Sequence, residues 1–185
     1  MKKIIFAILL AGAAMGLTSC LGDGAEDQYK EWRKANNDWF VNQSMLVDEN
    51  GQLFYTPVGA PWDPNARVFV HWFNDRNLTK DNLQPYYTST IDVKYKGQLY
   101  DGTPFDSSFV STSPADSVRR MALNNTIEGW GIAITQMHVG DSCRILINYP
   151  QGYGTYSVNS LIKPFSVLQF DVKLVDIYAY ETGKK

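Results

Sequence analysis

Three short stretches of strict two-residue alternation, set around a single helical stripe, limit what this chain can fold into. Over residues 90–97 (TIDVKYKG), Ile91, Val93 and Tyr95 share one side, and Asp92, Lys94 and Lys96 share the other. Further on, Cys143, Ile145 and Ile147 alternate with Arg144, Leu146 and Asn148, and Leu168, Phe170, Val172 and Leu174 alternate with Gln169, Asp171 and Lys173. Successive side chains of a strand point to opposite faces, so each stretch reads as a half-buried strand. Between the first and second, IEGWGIAITQM spaces Ile127, Trp130, Ile134 and Met137 along one helical stripe. One short helix among such strands predicts an α+β domain, with a twisted, mostly antiparallel β-sheet half-wrapped around that helix. Residues 67–74 (RVFVHWFN) add a strand rich in β-branched and aromatic residues. The preceding PVGAPWDPNA reads as a connector, because proline cannot donate to a sheet's hydrogen-bond ladder.

The first twenty residues, MKKIIFAILLAGAAMGLTSC, hold two lysines and then an apolar run from Ile4 to Leu17. The run is too short to span a membrane comfortably and predicts a secretory signal over residues 1–19. Its ending, Leu17-Thr18-Ser19-Cys20, resembles a bacterial lipobox, the alternative being an ordinary signal cut near Cys20. Lipidation of Cys20 would hold the protein on the extracytoplasmic side of a bacterial cell envelope, each buried CH₂ contributing roughly 0.8 kcal/mol. Residues 20–65 then form a lipidated tether, an amphipathic helix and the connector, and residues 66–180 form the main domain. In that helix Tyr29, Trp32, Asn36, Trp39 and Phe40 follow helical spacing. The helix packs on its own domain, or residues 27–47 pair two copies of the chain or bind a client.

Loss of Lys2 and Lys3 with the signal takes the formal charge from -2 to -4. Such a chain has no basic field, so nucleic acid is not an expected partner. It has two cysteines, and with Cys20 lipidated Cys143 lacks a disulfide partner and reads as a small buried hydrophobe. The two histidines, His71 and His138, stand alone, without CxxC or HxxxH spacing, so neither metal nor cofactor is expected. Stability then rests on a core, for which 44% hydrophobic residues, five Trp and eleven Tyr are ample.

The segment VKYKGQLYDGTPFDSSF, residues 93–109, reads as a hairpin turning at Asp101-Gly102. Asp106 directly after Phe105 is either a turn cap with Ser107 or Ser108, or a carboxylate brought with Tyr95 and Phe105 to the edge of a pocket. Together with TIEGWGIAITQMHVGDSCRILI, YPQGYG and LQFDVKLVDI, in that order, this segment resembles the FKBP-type peptidyl-prolyl cis/trans isomerase domain, from about Ile91 to Ile177.

The resemblance implies an isomerase acting on X-Pro bonds of exported proteins. It places Trp130 at the floor of a pocket, with Tyr95, Phe105, Ile127, Tyr153 and Phe170 as walls and Asp106 as the pocket carboxylate. The Ile127 N–H and the Tyr153 hydroxyl would hold substrate carbonyls, and Thr126, Leu161 and Ile162 would flank the substrate. Proline-containing polypeptides are then the substrates and macrolide-type compounds the inhibitors. The chain departs from the family pattern at Arg119-Arg120-Met121, at Thr126 in place of valine, and at Val158; these changes bear on inhibitor affinity and on the preference before proline. A non-catalytic client-binding or dimerisation module is the alternative, and a subunit of a surface assembly is a third reading.

The chemistry suits such residues. An X-Pro amide turns over a barrier of about 18 to 20 kcal/mol without any nucleophile. A dry aromatic pocket withdraws the water that stabilises the planar, dipolar amide and so favours the twisted form relatively. Acceleration by ~10⁶-fold asks about 8 kcal/mol of the pocket.

Overall fold

The computed structural model describes residues 28–111 and 117–180; the signal segment and Cys20 lie outside them. Helix α1 (Lys30–Ser44) precedes a hairpin of β1 (Thr56–Ala60) and β2 (Asp63–Trp72). There follow β3 (Thr90–Leu99), β4 (Pro104–Ser107), the one-turn α2 (Ser108–Ser111), β5 (Arg119–Ala122), α3 (Glu128–Ile134), β6 (Ser142–Ile147) and β7 (Leu168–Ala179). All strands join one antiparallel sheet in the order β1-β2-β6-β7-β3-β4, with β5 also on β3.

The three alternations form β3, β6 and β7. Their apolar sides, from Ile91, Val93, Cys143, Ile145, Phe170, Val172 and Leu174, are buried in one core with α3. Helix α3 is buried on every side from Gly129 to Ile134, because the sheet covers one face and the loop between β2 and β3 covers another. Glycine makes both approaches possible: a Cβ on Gly129 would stand 2.6 Å from Ile147 Cγ2, and one on Gly131 2.6 Å from Tyr87 Cε2.

Two expectations need correction. The proline-rich residues 57–66 are not a connector but β1 and the start of β2. Pro57 is tolerated because β1 is an edge strand, and Pro64 lies beside the irregularity at Gly59 and Ala60. The outer faces of β6 and β7 are also not uniformly wet. Leu146 and Gln169 are buried, and Leu146 packs with Phe40, Tyr55 and Val167 beneath α1. Asn36 explains its place among the aromatics of that helix: its Oδ1 accepts the Val167 N–H at 2.8 Å and its Nδ2 donates to the Trp32 carbonyl at 2.9 Å. Helix α1 therefore packs on its own domain.

The outer edge of β3 is shared, β4 pairing at residues 96–98 and β5 at residues 90–93. In the gap stands Tyr95, whose backbone N–H donates to the buried Ser108 hydroxyl at 2.9 Å. A side chain thus replaces the missing ladder partner and sets the turn that carries Asp106 past Tyr95.

Candidate active site

Aromatic side chains from four elements meet at the open end of α3. The Trp130 ring lies 5.1 Å from Tyr95 and 5.2 Å from Phe170, at 87° and 88°. Phe105 meets Phe170 at 5.4 Å and 88°. Edge-to-face pairing of this kind sets positive ring edges on negative faces and fixes the rings relative to one another. Gly97 on β3 lets two of them close up, since a Cβ there would lie 2.8 Å from both Phe105 Cζ and Phe170 Cε1. Gly97→Ala is therefore expected to destabilise the fold by about 1–3 kcal/mol, seen as a lower denaturant midpoint in equilibrium unfolding.

The rings border a cavity of about 590 Å³, within the range of small-molecule sites. Of the residues expected there, Tyr95, Asp106, Thr126, Ile127, Trp130, Tyr153 and Phe170 line it. Phe105 backs Phe170 without lining the cavity. Leu161 and Ile162 also lie off the lining: Ile162 belongs to the core and Leu161 is exposed.

Asp106 fills both of its candidate roles at once. Its Oδ2 accepts the Tyr95 hydroxyl at 2.7 Å, and its Oδ1 accepts the Ser107 N–H at 2.7 Å. Arg119 completes the group, Nη1 donating to Tyr95 Oη at 2.8 Å and standing 4.0 Å from Asp106 Oδ2. Burial first, and then the hydrogen bond and charge of Asp106, push the Tyr95 phenol up to about 12, against the lowering effect of Arg119. The phenol stays protonated at neutral pH and remains a donor. Burial, with the Asp106 charge, also raises the Tyr153 phenol.

Two donors are left available at the cavity. Among the described residues, neither the Ile127 N–H, at the N-terminal boundary of α3, nor the Tyr153 hydroxyl has an acceptor. Sequence reasoning treated Arg119 and Met121 only as departures at the rim, and passed over Ala122 and Asn125; all four line the cavity. The period-two spacing of Arg119 and Met121 was the available signal, had the short strand β5 been anticipated.

The sequence model for the FKBP-type peptidyl-prolyl cis-trans isomerase domain matches residues 82–175, half of the chain and all of the lining just described. The chain belongs to the FKBP-type peptidyl-prolyl cis-trans isomerase family. It is 38% identical over 181 residues to the Macrophage infectivity potentiator of Trypanosoma cruzi, covering 95% of this chain and 83% of that protein. With the FKBP-type 22 kDa peptidyl-prolyl cis-trans isomerase of Escherichia coli K12 it shares 39% identity over 93 residues, 50% of this chain and 43% of that protein. The crystal structure of a peptidyl-prolyl cis-trans isomerase from Pseudomonas syringae pv. tomato shares the fold, with a TM-score of 0.63 at 21% identity over 80% of this chain and 95% of that one. The FKBP-type chain is thus a peptidyl-prolyl cis/trans isomerase, and its aromatic cavity sits within the matched region.

Proposed function

We propose that the isomerase works in this cavity without covalent chemistry, by desolvating and twisting an X-Pro amide of an exported polypeptide. The observation that carries the reading is the boxed aromatic floor, Trp130 held edge-on by Tyr95 and Phe170, beside two uncommitted donors. The proline ring rests on Trp130, and Tyr95, Phe170 and Ile127 form the walls, with Phe105 behind Phe170. The Ile127 N–H and the Tyr153 hydroxyl receive the carbonyls flanking the twisting bond, while Thr126 borders the entrance. Water expelled from the cleft no longer stabilises the planar amide, and fixed donors replace it in the twisted form. Asp106 and Arg119 act as positioning residues that clamp the Tyr95 hydroxyl. Leu161 and Ile162 have no part in this reading, and macrolide-type inhibitors of the family would compete for the same cavity.

A prolyl-isomerisation assay on the soluble form beginning after Cys20 tests the assignment. The expected result is catalysed turnover, with Asp106→Leu lowering kcat/KM about 10-fold as Tyr95 loses its acceptor, an effect of about 1.4 kcal/mol. Turnover equal to the uncatalysed rate, or unchanged in Asp106→Leu and Trp130→Ala alike, would refute it.

The chain is further read as a lipoprotein anchored through Cys20 at a bacterial cell envelope, with the folded part extracytoplasmic. No helix among the described residues is long and apolar enough to cross a membrane. Cys20→Ala should move the protein from the membrane fraction to the soluble one. A homodimer through residues 27–47 is supported by Val41, Met45, Leu46 and Val47, all exposed at the end of α1. The sheet begins at Thr56, so the folded unit reaches further toward the N-terminus than residue 66.

A further inference from the structure

Against α3, beside the cleft, lies a larger cavity of about 740 Å³. Trp62, Leu83, Tyr86 and Tyr87 line it at 48%, 56%, 67% and 41% exposure, and none of its lining residues is Asp, Glu, Lys or Arg. Contiguous apolar exposure of this kind marks an interaction surface. Its rings are already ordered: the Trp62 indole N–H donates to Glu128 Oε1 at 3.1 Å, Trp62 lies 5.3 Å from Tyr87, and Tyr86 lies 5.7 Å from Tyr180. The floor is stitched down as well, Gln84 Nε2 donating to the Thr135 carbonyl and Asn82 Nδ2 to the Val139 carbonyl.

Both cavities border helix α3 or the residues that flank it. Ile127 and Trp130 line the cleft, whereas Trp62 of the groove donates to Glu128, the residue next to Ile127, and Tyr87 of the groove packs on Gly131, the residue next to Trp130. A polypeptide whose prolyl bond occupies the cleft continues past it. At about 3.1 Å per residue, three or four extended residues carry it across the roughly 10 Å width of a helix.

We propose that this groove is a second polypeptide subsite, which takes an uncharged, extended stretch bearing proline or aromatic residues from the same client chain whose X-Pro bond sits in the cleft. The inference rests on the reading of the cleft given above. Preformed aromatic grooves suit such stretches because the extended polyproline conformation has little entropy left to lose. The chain's own last five residues, Glu-Thr-Gly-Lys-Lys, follow Tyr180 at the groove's edge but contain no apolar side chain, so they match its lining poorly.

The test uses the full-length chain and two substrates with the same X-Pro bond. One is a tetrapeptide, and the other an uncharged peptide of about fourteen residues with Pro and Tyr on both flanks. The long peptide is expected to show a KM about 10-fold below that of the tetrapeptide. Trp62→Ser with Tyr86→Ser should remove that advantage while leaving kcat and all tetrapeptide parameters unchanged. Equal KM values in the wild type, or equal losses on both substrates, would overturn the proposal. Calorimetric binding of the long peptide, weakened in Trp62→Ser but retained in Trp130→Ala, supports the groove even if the tetrapeptide is not turned over, a result that sinks only the cleft reading. Tighter binding after truncation at Tyr180 would make the tail the occupant, and a dimer dissociated by Trp62→Ser would make it a second copy; either overturns the proposal.

Discussion

Trp130→Ala is expected to lower kcat/KM for prolyl isomerisation about 100-fold, equivalent to about 2.7 kcal/mol of transition-state stabilisation. The indole is 4% exposed and holds two other rings edge-on, so truncation removes the floor and loosens the walls together. Water then enters where the twisted amide requires its absence. Because a large buried side chain is lost, stability should also fall, by about 3–5 kcal/mol. Activity per folded molecule, with the folded fraction fixed by circular dichroism at the assay temperature, separates the two effects. Trp130→Phe keeps an apolar floor and should recover most of the rate; if it is as slow as alanine, desolvation by the ring is not what the residue supplies.

Asp141→Ala is expected to cost about 3–5 kcal/mol of stability with little direct effect on the cleft. The Asp141 carboxylate is fully buried and accepts from the His138 N–H, Thr79 Oγ1, Asn74 Nδ2 and Arg76 Nε. It ties the loop after β2 to the turn before β6, and its removal leaves several donors without an acceptor. Burial alone would raise its pKa, but the bonds from His138, Thr79 and Asn74, with the Arg76 charge, outweigh that and hold it below the usual 3.8. The folded state therefore binds the proton more weakly than the unfolded chain. Its contribution is complete above pH 3.8 and is lost as the pH falls through the depressed folded value. Urea midpoints measured from pH 7 to pH 2 should show this acid loss in the wild type, with a smaller slope in Asp141→Ala. An identical slope in both would remove Asp141 from the account.

Neither Asp141 nor Arg119 was visible as a site in one dimension. Asp141 occurs in an ordinary turn sequence, and its partners Asn74, Arg76 and Thr79 lie more than sixty residues earlier. Arg119 lies on a strand of four residues, too short for its period-two spacing with Met121 to stand out, and only the pairing of β5 with β3 points it at Tyr95. The hairpin of β1 and β2 was hidden by its prolines, which forbid a central strand but not an edge. Leu146 and its strand neighbour Gln169 obeyed the alternation yet are buried, and over Leu146 the cover is Phe40 of α1, on a face that local pattern assigned to water.

What could be read directly was whatever depends on local period and residue type. The three alternations, the helical stripe at Trp130 and the Asp101-Gly102 turn follow from backbone geometry, and the ordered blocks carried the family and most of the lining aromatics. Tertiary structure alone decided which polar groups pair across the fold: Asp106 and Arg119 on the Tyr95 hydroxyl, four donors on Asp141, Asn36 on the Val167 N–H. Hydrogen bonds act over about 3 Å in space and ignore sequence distance, whereas periodicity reports only which side of its own element a residue faces.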